Sequence, residues 1–189
     1  IIGHCPLLSD ISNEIPRKKT LNQHHKVDWE ELKALLPGWG RELGFSGVGI
    51  ADISLKDHGD RLQSWLAKKY HGEMEYMGRH GSMRWQPELL NTGTHSIITV
   101  RIDYLRKQPA PEKILEQAGK GYISRYALGR DYHKVIRIKL KSLVKKINSH
   151  CESLGFHTFD SRVFTDSAPI LEKALAEKSG LGWIGKHTL

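Results

Sequence analysis

The chain has 189 residues, 39% of them hydrophobic and 26% charged, which is ordinary for one soluble globular domain with its own core. No apolar run approaches the length of a membrane span, no charged leader with an apolar stretch opens the chain, and the two cysteines, Cys5 and Cys151, exclude both a disulfide framework and any Cys-x-x-Cys metal or cluster pair. A net charge of +8 and a pI near 9.5 favour a polyanionic partner, nucleic acid being the commonest, beside the plainer reading of charge kept for solubility.

Residues 1–26 carry Pro6, Pro16 and polar clusters without a steady period and read as a poorly ordered lead-in. Asp28 has the character of an N-cap before Trp29, Leu32, Leu35, Leu36, Trp39 and Leu43 at helical spacing, with Pro37-Gly38 expected to kink or split that helix. Residues 45–51 predict a buried strand, residues 61–69 a short helix, residues 70–95 an irregular stretch, and residues 96–102 a second strand after the Asn91-Thr-Gly93 turn. Residues 104–120 predict a long surface connection. From near Arg130, Ile136, Leu140, Leu143, Ile147, Cys151 and Leu154 fall on one helical face, Gly155 supplies a stop, and Lys134, Arg137, Lys141, Lys145 and Lys146 occupy the other face. A strand over 156–164 and a helix over about 169–178 complete an α/β pattern, a sheet with flanking helices.

Three segments carry chemistry. Asp166 closes a strand-like run and precedes Ser167-Ala-Pro169, an address where α/β sheets gather ligands; a carboxyl shielded there by a cofactor could hold and donate a proton near neutral pH. An Asp or Ser before a Pro-led helix is also a common N-cap, and spacing alone favours the cap. Gly180-Leu-Gly182-Trp-Ile-Gly185-Lys186-His187 lacks the spacing of dinucleotide or nucleoside-triphosphate loops, but its glycines allow close backbone approach to a flat ligand; a helix C-cap and ordinary turn is equally consistent. Gly121-Tyr-Ile-Ser124-Arg-Tyr126-Ala-Leu-Gly-Arg-Asp131-Tyr132-His133-Lys134 is dense enough in aromatic and hydrogen-bonding groups for a pocket wall, with Asp131 as a helix cap in the alternative. The eleven histidines form no metal-ligand pattern, so no metal-binding residue is expected.

In this order, Leu43-Gly-Phe, Val48-Gly-Ile, Tyr70-His-Gly-Glu-Met, Arg79-His-Gly, the Tyr122 to His133 run, and Asp166-Ser-Ala-Pro-Ile-Leu-Glu172 through Lys186-His187 resemble the N-terminal half of epoxyqueuosine reductases, the QueG family of cobalamin-dependent tRNA-modification enzymes. The resemblance runs from about Leu43 to Leu189. It implies a nitroreductase-like or reductive-dehalogenase-like cobalamin domain over residues 27–189, incomplete at its C-terminal end and followed by a ferredoxin-like domain with two 4Fe-4S clusters. It further implies reduction of epoxyqueuosine to queuosine at the tRNA wobble position, the last step of that pathway, with Asp166 as the proton donor. Arg79, Ser124, Asp166 and His187 match corrinoid-contacting positions, and Tyr132, His133 and Lys186 join them from neighbouring motif positions. The expected setting is a cytoplasmic monomer served by tRNA and an electron-donor reductant, and this stretch alone, opening on Ile1 and closing mid-motif at Leu189, is expected to be inactive. Rival readings are a related corrinoid iron–sulfur reductase acting on a small molecule, such as a dehalogenase, and a corrinoid- or tRNA-binding module without catalysis.

Overall fold

A four-stranded sheet of order β2-β3-β1-β4 lies between two helices on one face and one on the other. The computed structural model describes residues 2–3, 29–105 and 109–186. β2 (Gly47–Asp52) pairs antiparallel with β3 (Ser96–Arg101) in a register that sets Val48 opposite Val100 and Ile50 opposite Ile98. β1 (Ile2–Gly3) lies between β3 and β4 (Ser161–Arg162), antiparallel to both. Every adjacent pair is therefore antiparallel. Of the segment expected to be a loose lead-in, Ile2–Gly3 instead supplies a strand; Ile1 and residues 4–28, with the expected Asp28 cap, lie outside the described residues.

The strand period sorts the core into two layers. Val48, Ile50, Ile98 and Val100 point to one face and pack on Leu32 and Leu36 of α1 (Trp29–Glu42) and Leu140, Leu143, Ile147 and Cys151 of α4 (Tyr132–Ser153). Ala51 and Ile97 point the other way, onto Ile170 and onto Ala174 and Leu175 of α5 (Glu172–Lys178). Each fully buried leucine here contributes on the order of 2 kcal/mol by leaving water. Gly49 lies on the α5 face, where a Cβ would come within 2.5 Å of the Ser179 carbonyl oxygen; the absent side chain lets α5 close on the sheet. Thr99 Oγ1 and Ser179 Oγ, 2.5 Å apart, fasten the same contact.

Several boundaries depart from the sequence reading. α1 runs unbroken through Pro37, because the ring sits on the exposed side of the helix, where water can satisfy the carbonyl one turn back, while Leu32, Leu36 and Gly40 carry the buried stripe. α2 spans Lys56–Ala67, starting five residues before the expected Arg61, with Gly59 buried under the Trp85 ring. Residues 70–95 are irregular as expected, wound into 3₁₀ turns at Glu75–Met77, Gly81–Arg84 and Pro87–Leu89. The surface connection contains a short helix, α3 (Pro111–Leu115). The expected strand over 156–164 shrinks to Ser161–Arg162, since Phe156 and Phe159 turn into the α1–α4 layer rather than extending beside the sheet. α4 ends at Gly155 through a Phe156 N–H to Cys151 carbonyl bond of 3.0 Å, as its spacing predicts. Its polar face is not uniform: Lys134, Lys141 and Lys145 are exposed, Lys146 pairs with Glu42 at 2.6 Å, and Arg137 donates to Ser167 Oγ at 3.3 Å.

Candidate functional site

The first turn of α4 and the loop from β4 to α5 meet at one carboxylate. Asp131 caps α4, its Oδ1 accepting from the His133 N–H at 3.0 Å and contacting His133 Nδ1 at 2.9 Å. The same cap turns Tyr132 and His133 toward the β4–α5 loop, with their rings stacked 4.0 Å apart. Tyr132 then donates to Asp166 Oδ2 at 2.6 Å, and His133 Nε2 stands 3.8 Å from that oxygen. Asp166 is half exposed at 51% of its side-chain surface, as is His133 at 43%, so the carboxylate faces outward.

The alternative of Asp166 as an N-cap falls away. α5 begins at Glu172, not near Pro169, and its N-cap position is Leu171. Residues 166–171 instead form a turn in which Asp166 takes a left-handed backbone with φ of +52°, a conformation that Asp tolerates better than most non-glycine residues. The turn brings Glu172 back beneath Asp166: the Asp166 N–H donates to Glu172 Oε1 at 3.3 Å, and the two carboxyl groups are within hydrogen-bond reach of each other.

Environment separates the groups electrostatically. Loss of solvent pushes the Glu172 carboxyl up to about 7, and the neighbouring negative charge and hydrogen bond of Asp166 act in the same direction. The Tyr132 phenol is pushed up to about 12, first by its hydrogen bond to Asp166, so it remains a proton donor to that carboxylate. Asp131 is held below the usual carboxylate range, chiefly by the His133 side chain.

Inward of this cluster a cavity of about 320 Å³ runs along the sheet, lined by Ile97, Thr99, Ile136, Phe164, Thr165 and Glu172 among others. The Thr165 hydroxyl is buried there without a protein partner. Outward, the rings of Tyr104, Tyr126 and Tyr132 follow one another at centroid separations of 6.5 and 6.1 Å and lead through His133 to Asp166. Tyr104 and Tyr126 are both more than half exposed, which makes an open aromatic wall rather than a packed core.

The sequence-derived residues divide accordingly. Tyr132, His133 and Asp166 come together. Arg79 and Ser124 are exposed in 3₁₀-rich segments, their carbonyls accepting from Arg84 Nε and the Ala127 N–H, and Lys186 is exposed beyond α5; among the described residues none of these three side chains enters the Asp166 contacts. His187 lies outside the described residues. The glycine loop begins as a C-cap, with Gly180 at φ of +77° and a Leu181 N–H to Ala176 carbonyl bond of 3.0 Å, and then folds back so that the Ile184 N–H reaches Glu177 Oε1 at 3.3 Å. Glu172 had no role in the sequence reading; a helix started at Pro169 would place it as an ordinary first-turn acid.

Residues 84–167 match the family described as epoxyqueuosine reductase QueG, DUF1730, a span that contains Tyr132, His133 and Asp166. The chain is 51% identical over 163 residues to the epoxyqueuosine reductase of Escherichia coli, covering 86% of this chain and 42% of that protein. Over residues 84–167 the chain is similar to the QueG family. The epoxyqueuosine reductase of Pseudomonas aeruginosa is 50% identical over 162 residues, again 86% of this chain and 44% of the relative, so the chain spans less than half the length of these relatives. Two solved epoxyqueuosine reductases share its fold. The one from Streptococcus thermophilus has a TM-score of 0.68 at 24% identity over 82% of this chain and 40% of that one. Another, described as in complex with an epoxyqueuosine-modified tRNA-Tyr stem loop, has a TM-score of 0.70 at 24% identity over 85% and 41%. Among the described residues no helix is long and apolar enough to cross a membrane.

Proposed function

We propose that the protein reduces epoxyqueuosine to queuosine in tRNA, with this chain holding cobalamin and delivering a proton from Asp166. The observation that carries the reading is the outward-facing Asp166 carboxyl, held by Tyr132 at 2.6 Å inside the span that matches the QueG family. The identity of 51% to an epoxyqueuosine reductase and the fold shared with one in complex with a modified stem loop support the substrate.

The residues present suit a large flat cofactor. A cavity of about 320 Å³ is too small to enclose a corrin ring, whereas the exposed wall of Tyr104, Tyr126, Tyr132 and His133 offers a face for one to lie against, with Asp166 at its edge. In this reading Arg79, Ser124, Lys186 and His187 would contact polar groups of the cofactor. The chemistry supplied by bound cobalamin is two-electron reduction from its cobalt. Asp166 delivers one of the two protons that the oxygen takes up as it departs as water, the other coming from solvent. Tyr132 fixes the carboxyl through Oδ2 and keeps its own proton, and Asp131 orients His133 beside it. The two 4Fe-4S clusters of this reading need eight cysteine ligands, more than Cys5 and Cys151 can supply. Exposed Lys134, Lys141 and Lys145 on α4 suit the phosphates of tRNA, and a reductant in the same compartment as tRNA, the cytoplasm, completes the system.

The test supplies the intact protein bearing this chain with cobalamin, a strong reductant and an epoxyqueuosine-containing stem loop, followed by mass analysis of the nucleosides. Queuosine is expected from the native protein, with Asp166→Asn retaining the cobalamin absorption spectrum but leaving the epoxide intact. Native turnover in the variant would remove Asp166 from the reaction, and an unreacted epoxide with the native protein would remove the substrate assignment.

A further inference from the structure

Beneath Asp166 lies a second carboxyl that the reaction as described does not use. Glu172 opens α5, lines the cavity, accepts from the Asp166 backbone N–H at 3.3 Å and meets the Asp166 side chain within hydrogen-bond reach. The titratable groups lining the cavity with it are Asp166 from the β4–α5 loop, Tyr132 from α4 and Lys173 from its own helix; the remaining lining is apolar or hydroxyl-bearing. Two carboxyl groups in such contact do not both ionise readily, and the less solvated one keeps the proton.

We propose that Glu172 stores the proton of this site and passes it through Asp166, the exposed end of a two-carboxyl relay. The proposal deepens the reading of Asp166 as the acid. In the step, the O–H bond of Glu172 breaks as an O–H bond forms on Asp166, and Asp166 gives up a proton to the departing substrate oxygen. Glu172 is left as a carboxylate and is refilled from water by way of Asp166. The geometry supports this order: Tyr132 and His133 hold the outer carboxyl from the α4 side, while the left-handed turn at Asp166 folds the chain so that its own amide anchors Glu172 from below. That Glu172 sits at about 7 agrees with a store that is loaded and unloaded near neutral pH.

The test is a carbon-13 titration of the glutamate side-chain carboxyls of this chain, with the Glu172 resonance assigned by its loss in Glu172→Gln. A Glu172 midpoint near neutrality is expected, falling by about one pH unit or more in Asp166→Asn as the neighbouring charge is removed. Full ionisation of Glu172 by about pH 5, as for a solvated glutamate, overturns the relay; so does a midpoint that ignores Asp166→Asn. Should that variant fail to fold, the native midpoint decides alone. Glu172→Gln keeps an acceptor for the Asp166 N–H, so its melting temperature is expected to hold while turnover of the intact enzyme falls at least about tenfold, the lower end of what a general acid contributes being larger still. Native turnover across the pH range in that variant would also overturn the relay. Because the titration needs no substrate, it stands or falls separately from the assignment of epoxyqueuosine.

Discussion

Tyr132 offers a direct measure of how strongly the site holds its carboxylate. Its O–H donates to Asp166 Oδ2 at 2.6 Å, and the phenol is pushed up to about 12, with that hydrogen bond as the largest cause. Against an ordinary tyrosine near 10, two pH units correspond to about 2.7 kcal/mol of preference for the protonated phenol. Both partners are partly exposed, and solvent screening reduces the usable coupling to about 1 kcal/mol. The sign follows from the upward shift: the contribution is fully present below about pH 10, and it is lost as the pH rises toward 12 and the folded protein releases the proton. Ultraviolet absorbance of tyrosinate gives the assay. Subtracting the alkaline titration of Tyr132→Phe from that of the native chain isolates this phenol, with an expected midpoint near 12. The same subtraction in an Asp166→Asn background is expected to lower the midpoint by about one unit, the screened share of the shift. Equal midpoints in the two backgrounds would refute the coupling, and with it the claim that Tyr132 holds Asp166.

Three further outcomes follow from the packing and the charge. Gly49→Ala sets a methyl against the Ser179 carbonyl and is expected to cost about 2 kcal/mol in urea unfolding, because the obstacle is backbone rather than a movable side chain; an unchanged midpoint would mean that α5 does not close on β2. Pro37→Ala restores an amide donor on the exposed side of α1 and is expected to stabilise by about 1–2 kcal/mol, the helix gain less the lost stiffness of the unfolded chain, and a lower midpoint would contradict the unbroken helix. Replacing Lys141 and Lys145 together by Ala is expected to weaken stem-loop binding and to reduce the slope of log affinity against log salt by about one to two, whereas an unchanged slope would place the phosphates elsewhere.

Local pattern carried far in this chain. The apolar stripe of α4, its Gly155 stop and the strands near β2 and β3 were legible because helix and strand signals come from neighbouring residues and need no distant partner. The Tyr122–His133 and Asp166–Glu172 motifs were also present as ordered strings, enough to carry a family resemblance and a candidate acid. What the string could not carry was whatever depended on contacts between segments. Whether Pro37 breaks α1 turned on which side of the helix meets water, and the strand expected over 156–164 gave way because Phe156 and Phe159 found more apolar surface in the α1–α4 layer. The pairing of Tyr132 with Asp166 spans 34 positions and exists because α4 and the β4–α5 loop converge. Glu172 is the sharpest case. Six residues from Asp166 it is one more acid at the start of a helix, and only a left-handed turn, tertiary burial and the resulting loss of solvent make it a carboxyl that keeps a proton near neutral pH. Periodicity is a property of the chain, whereas desolvation and charge proximity belong to the folded arrangement, and the chemistry of this site rests on the second.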